Sequence, residues 1–144
     1  MRRPAVAAAL ALVVAACGCG DADAPAGGPT ATTASDTIDL RVVYDDGSGR
    51  KSTGRLICRD GERRAEGALE AGASPAKLCA QARGLEELLT TPPDKGRVCT
   101  QIYGGPETAR ITGTIGGEQV DRRFARTNGC EMADFKRAAG LLPP

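Results

Sequence analysis

RVCTQIYGGP, residues 97–106, joins a cysteine to side chains of opposed backbone preference. Val98, Ile102 and Tyr103 favour extended backbone, whereas Gly104, Gly105 and Pro106 favour a turn and offer nothing that would extend a packed strand. The stretch therefore reads as half strand and half loop. Thr100, Gln101 and Ile102 stand between the cysteine and the aromatic, with side chains able to fill pockets.

Downstream, Thr108–Ile115 (TARITGTI) and Glu118–Thr127 (EQVDRRFART) read as two strands. Gly116-Gly117 between them is a two-residue hairpin signal. Asn128 followed by Glu131 fits a capping box, which predicts a helix whose shared face carries Met132, Phe135 and Ala139. Upstream, Ser74-Pro75 predicts another helix start, with serine as cap and proline where its missing N–H costs nothing. Leu78, Cys79, Ala82, Leu85, Leu88 and Leu89 recur at spacings of three and four, so one face of that helix packs against a sheet. Thr91-Pro92-Pro93 ends it. Asp60–Gly72, rich in Gly, Glu, Arg and Ala, reads as an exposed loop.

Near the start of the folded part, TIDLRVVY (residues 37–44) alternates. Ile38, Leu40 and Val42 share one face, and Asp39, Arg41 and Val43 the other, the pattern of a half-buried strand. Asp45-Asp46-Gly47-Ser48-Gly49 forms a loop, and Lys51–Arg59 returns as the second strand of an antiparallel hairpin. The fold class is thus α+β, with an antiparallel sheet of about five strands, two helices and two disulfides.

The disulfides follow from cysteine usage. Cys58, Cys79, Cys99 and Cys130 fall in the folded part, and an even number in a secreted domain reads as a framework with three connectivities open. No CxxC knuckle occurs among them, which argues against zinc and thioredoxin-like redox chemistry. The chain contains no histidine, so no Ser-His or Cys-His pair and no His-ligated metal can form. No pair of carboxylates or lysine stands out from the scattered charges. The residues point to a protein that binds rather than catalyses, with no cofactor and no metal.

Residues 1–16 read as a signal peptide. Arg2 and Arg3 precede an apolar run, Ala5 to Ala16, that is too short to span a bilayer as a helix. Val14-Ala15-Ala16 before Cys17 resembles the lipobox of bacterial lipoproteins, in which cleavage precedes a lipid-modified cysteine. An ordinary signal peptide with A-x-A-like cleavage is the other reading. A lipid on Cys17 would place the domain outside the cytoplasmic membrane as an anchored protein. Residues 17–37 are almost entirely Gly, Ala, Pro, Asp, Ser and Thr, a composition that buries no core and forms a flexible tether. Cys19 lies within it and reads first as a linker residue, with an alternative lipid site or a free thiol as the other readings. Residues 38–144 are enough for one domain. Loss of Arg2 and Arg3 turns the net charge of +1 into about −1, 17 basic against 18 acidic side chains. With few aromatics, this provides no nucleic-acid footprint.

Cys99-Thr-Gln-Ile-Tyr and the Asn128-Gly-Cys130-Glu-Met segment resemble the Streptomyces subtilisin inhibitor family. The resemblance covers about Ile38 to Phe135 and is strongest from Cys99 onward. It implies sequential disulfides, Cys58 with Cys79 and Cys99 with Cys130. It also implies an extracytoplasmic inhibitor of serine proteases, subtilisin-like ones first. In that family a loop tied by a disulfide enters the protease as a substrate bound well and hydrolysed badly. Carried over by position, Gln101 would fill the primary specificity pocket and Gln101-Ile102 would be the scissile bond. Val98, Cys99 and Thr100 would make contact upstream, and Tyr103 and Gly104 downstream. The sequence departs from the family at two places. Well-known members carry methionine or lysine where Gln101 stands, and Gly104-Gly105-Pro106 replaces a shorter acidic turn. Dimerisation through the sheets is a further implication of the resemblance. The alternative is a cell-surface binding module that keeps the scaffold for another ligand. Inhibition of a metalloprotease through other residues is a third reading.

Overall fold

The computed structural model describes residues 36–143. The signal segment, the expected lipidation site Cys17 and Cys19 lie outside the described residues. Five strands, β1 (Ile38–Asp45), β2 (Lys51–Arg59), β3 (Glu62–Gly67), β4 (Thr108–Ile115) and β5 (Glu118–Phe124), form one antiparallel sheet in the order β3-β2-β1-β4-β5. Helices α1 (Pro75–Gly84) and α2 (Glu86–Thr90) lie between β3 and β4, and α3 (Gly129–Ala138) follows β5. The fold is α+β.

Alternation in β1 decides which side of the sheet is covered. Its register sets Ile38 opposite Cys58 and Ile115, and Leu40 opposite Leu56 and Gly113. Ile38, Leu40 and Val42 are buried with Leu56, Ile111, Ile115, Val120 and Phe124 from the neighbouring strands. Leu78, Cys79 and Ala82 of α1 and Leu88 and Leu89 of α2 close over this face. At ~25 cal/mol per Å² of apolar surface removed from water, this layer dominates the stability of the domain. The opposite face carries charge. Arg55 makes a two-point bond with Asp39 at 2.9 and 2.7 Å, and Arg110 one with Asp121 at 2.8 and 2.6 Å. These arginines, bonding as donors, hold the carboxyls of Asp39 and Asp121 below the usual carboxylate range.

The β1–β2 and β4–β5 hairpins form as the sequence implies. In the latter, Gly116 (φ 59°) and Gly117 (φ 88°) take the two left-handed positions that a tight primed turn demands. Ser74 caps α1 with its side chain facing the Lys77 N–H, and Pro75 occupies the first turn. Cys58 bonds Cys79, stapling β2 to α1, and Cys99 bonds Cys130.

Four readings need correction. Asp60–Gly72 is no exposed loop: Glu62–Gly67 pairs with β2 as the edge strand, and Leu69 after it is buried. ERRAEG has no alternation and poor strand propensity, but the open hydrogen-bonding edge of β2 supplies a template that composition does not reveal. The first helix is broken at Leu85, which has φ −112° and ψ 8° and donates its N–H to Ala82 three residues back. The apolar stripe continues across the break, because Leu88 and Leu89 remain buried. β5 ends at Phe124 rather than Thr127. In α3 the inward residues are Asp134 and Ala138, with Met132 and Phe135 half-buried and Ala139 exposed. The helix ends at Ala138, so Ala139 turns outward in a short 3-10 segment, Ala139–Leu141.

Candidate functional site

Arg97–Pro106 joins no strand of the sheet. Its extended half finds no partner strand, so the segment is a loop throughout, held by side chains and isolated backbone bonds. On the upstream side Cys99 is tied to Cys130, and the Thr100 carbonyl accepts a hydrogen bond from the Gly129 N–H at 3.0 Å. On the downstream side the Gly104 N–H donates to the Arg126 carbonyl at 2.7 Å. The Arg126 guanidinium also bonds Glu107 at 2.7 Å and lies 5.8 Å from the Phe135 ring centroid. Both clamps therefore reach residues 125–130, the short connection out of β5 and the first residues of α3.

Local sequence explains why that connection can receive the loop. Asn128 is the N-cap of α3, its side-chain oxygen accepting from the Glu131 N–H at 3.0 Å. Such a cap is worth ~1 kcal/mol. The returning half of the capping box is displaced by one residue: Glu131 accepts from the backbone N–H and the hydroxyl of Thr127. Gly129 follows the cap and must be small. A Cβ there would lie 2.1 Å from the Thr100 hydroxyl oxygen, so any side chain would push the upstream clamp away.

Between the clamps, Gln101, Ile102 and Tyr103 are exposed and make no hydrogen bond to the body among the described residues. Ile102 is 57% and Tyr103 65% exposed, and Val98 just ahead of the disulfide is 97% exposed. These are the large apolar side chains that the described surface leaves most open to water. Cys99 and Gly104 are half-buried and Thr100 is exposed. The seven residues singled out from sequence thus form one continuous projection, with its centre free and its two ends bound.

The sequence did not single out the residues that hold the projection, apart from Cys130. Arg97 meets Asp134 of α3 through two nitrogens, at 3.0 and 3.5 Å, and Arg122 of β5 reaches the same carboxylate at 3.1 Å. Arg122 and Asp134 are both buried. Bonding to Asp134 raises the Arg97 pKa above its ordinary value. Burial lowers that of Arg122, against the pull of Asp134. One signal was legible in principle, a carboxylate on the inward stripe of α3, where an acid needs a cationic partner. Among the described residues no group of three or more His, Cys, Asp or Glu is placed to hold a metal, and no helix is long and apolar enough to cross a membrane.

Comparison with known proteins found no matching family model and no matching curated protein. Among solved structures, the chain is similar to Streptomyces caespitosus sermetstatin, in a crystal structure of its complex with Bacillus licheniformis subtilisin. The match has 22% identity and a TM-score of 0.41, and covers 73% of this chain and 96% of that one.

Proposed function

We propose that this chain is an extracytoplasmic inhibitor of serine proteases, subtilisin-like ones first, and not an enzyme, with Gln101-Ile102 as the scissile bond of a substrate-like loop. One observation carries the reading: three exposed residues, Gln101 to Tyr103, are held between a disulfide with its backbone clamp on one side and a second backbone clamp on the other. Ordering before association lowers the entropy lost on binding, so affinity rises. The loop's unpaired backbone can add to a strand of the enzyme while alternate side chains enter pockets, Gln101 into the primary one. If water adds across Gln101-Ile102, the new carboxylate of Gln101 and the new amine of Ile102 stay near each other. Cys99 and Thr100 retain one end, and Gly104 and Glu107 the other. The reverse reaction then competes with product release. Val98 and Tyr103 would extend the contact at either side. A lipid on Cys17 would keep this loop at the outer side of the cytoplasmic membrane, and an intact mass showing a diacylated Cys17 tests that part.

The inhibitor reading is tested by titrating subtilisin with the full chain and weighing the recovered protein. Stoichiometric loss of enzyme activity with at most one slow cut after Gln101 supports it. Rapid degradation, or no binding across a wider panel of proteases, would leave the surface binding module as the better account. Gln101→Met should tighten subtilisin binding. Burying an unpartnered amide costs ~1 to 3 kcal/mol, and removing that cost is worth about tenfold or more in affinity. An unchanged affinity would mean that this side chain does not enter the pocket.

A further inference from the structure

Between Leu89, which is buried, and Cys99 the chain has little to hold it. Every residue from Thr91 to Val98 is exposed. Arg97 carries the only ion pair from this segment to another element among the described residues. We propose that Asp134 is the positioning residue of the loop's upstream arm, holding Arg97 against α3 while buried Arg122 holds Asp134, so that Thr100 meets Gly129 in register.

The arrangement has an inside and an outside. Arg122 is 5% exposed and lies 5.7 Å from the Phe124 ring centroid, so its guanidinium is fixed in the core and needs a counter-charge there. Asp134, 7% exposed, supplies it. Its Oδ2 is shared by two guanidiniums, at 3.1 Å from Arg122 and 3.0 Å from Arg97. Arg97 approaches with its planar fork across both carboxylate oxygens, a geometry that fixes direction as well as distance. Only Val98 separates Arg97 from Cys99. The ion pair and the disulfide thus hold neighbouring points of the arm on the same helix, α3. A disulfide alone leaves the chain free to swivel about it; a second attachment two residues earlier removes that freedom. The effect on a protease rests on the inhibitor reading, whereas the positioning of the arm does not.

Arg97→Gln in the full chain is the cleaner variant, since Asp134 keeps its buried partner and the core is not left with an unpaired charge. Amide hydrogen exchange reads the two clamps separately: the Gly129 N–H reports the bond to Thr100, and the Gly104 N–H the bond to Arg126. In Arg97→Gln the Gly129 amide should exchange about three- to tenfold faster, with Gly104 unchanged. The Tm should stay within about 3 °C. Arg97→Lys, which keeps the charge and loses the fork, should fall between. Arg137→Gln removes an arginine that lines a surface cavity with Arg97, Arg122 and Asp134 but is not paired with Asp134, and should leave both amides as they were. Unchanged exchange at Gly129, or equal acceleration at Gly129 and Gly104, would overturn the proposal. Cleavage of Gln101-Ile102 by subtilisin should quicken in Arg97→Gln by the same factor. If wild type is ignored by subtilisin or shredded at many sites, the inhibitor reading falls while the exchange result still decides the role of Asp134.

Discussion

The bridge between Cys58 and Cys79 lies in the core, where both residues are at most 1% exposed and join a sheet to a helix already packed on it. The bridge between Cys99 and Cys130 is half-buried and joins α3 to a loop that pairs with no strand. The same bond therefore does different work. At Cys58 the neighbours Leu56, Leu78 and Ala82 specify the same geometry that the sulfurs do, so the bond adds chiefly to global stability. At Cys99 the surroundings are water, one ion pair and one backbone bond on the upstream side. There the bond defines a local shape that packing does not define. Packing backs the first bridge, whereas the second has little packing behind it.

The sharpest way to break this contrast is to remove each bridge as a double alanine variant. On chain-entropy grounds the two should cost about the same, ~3 kcal/mol each, because their sequence separations of 21 and 31 residues differ little on a logarithmic scale. The separation should come from local order. Cys99→Ala with Cys130→Ala should give the largest combined effect: loss of that stability, and exchange at Gly129 much faster than global unfolding allows. In the same variant, subtilisin should cut the loop rapidly. Cys58→Ala with Cys79→Ala should lower the Tm by more than about 10 °C. The loop amides should then exchange no faster than the drop in global stability requires. If both variants loosen Gly129 equally, the loop is ordered by the whole core and the contrast is wrong.

The smallest expected effect concerns pH and belongs to the charged face of the sheet. Asp39 and Asp121 have carboxyls lowered by their arginine partners. Between that depressed value and the ordinary carboxylate value of ~3.9 the unfolded chain binds more protons than the folded one, so stability rises with pH across that window. The contribution is complete above about pH 5 and is lost as pH falls through the folded value. With no histidine in the chain, the Tm should be nearly flat from about pH 5 to 8 and fall below about pH 4. Asp39→Asn together with Asp121→Asn should reduce that acid-side slope and leave the loop amides unaltered.

Where neighbours in sequence are also neighbours in space, the reading from residues was accurate. Alternation in β1, the Gly116-Gly117 turn, the cap at Ser74 and the cap at Asn128 each depend on a few consecutive residues, and each is found. The loop was read only in part: Gly104, Gly105 and Pro106 mark it as irregular, but the extended preference of Val98, Ile102 and Tyr103 makes no strand because no partner edge reaches them. The edge strand Glu62–Gly67 was missed because its stability comes from β2 and not from its own side chains. The clamps at Gly129 and Arg126 and the Arg97–Asp134–Arg122 group were missed for a similar reason.

The sequence by itself determined which segments bury a face, where two of the helices begin, and which residues crowd around Cys99. Those properties are set by local backbone preference and by the period of apolar side chains. Only the tertiary structure decided which cysteines meet, which free edge gains a strand, and that residues 125–130 hold both ends of the projecting loop. Arg97 and Asp134 are 37 positions apart. Whether such a pair forms depends on how the sheet and α3 carry the chain back on itself, a quantity that no short window of residues contains.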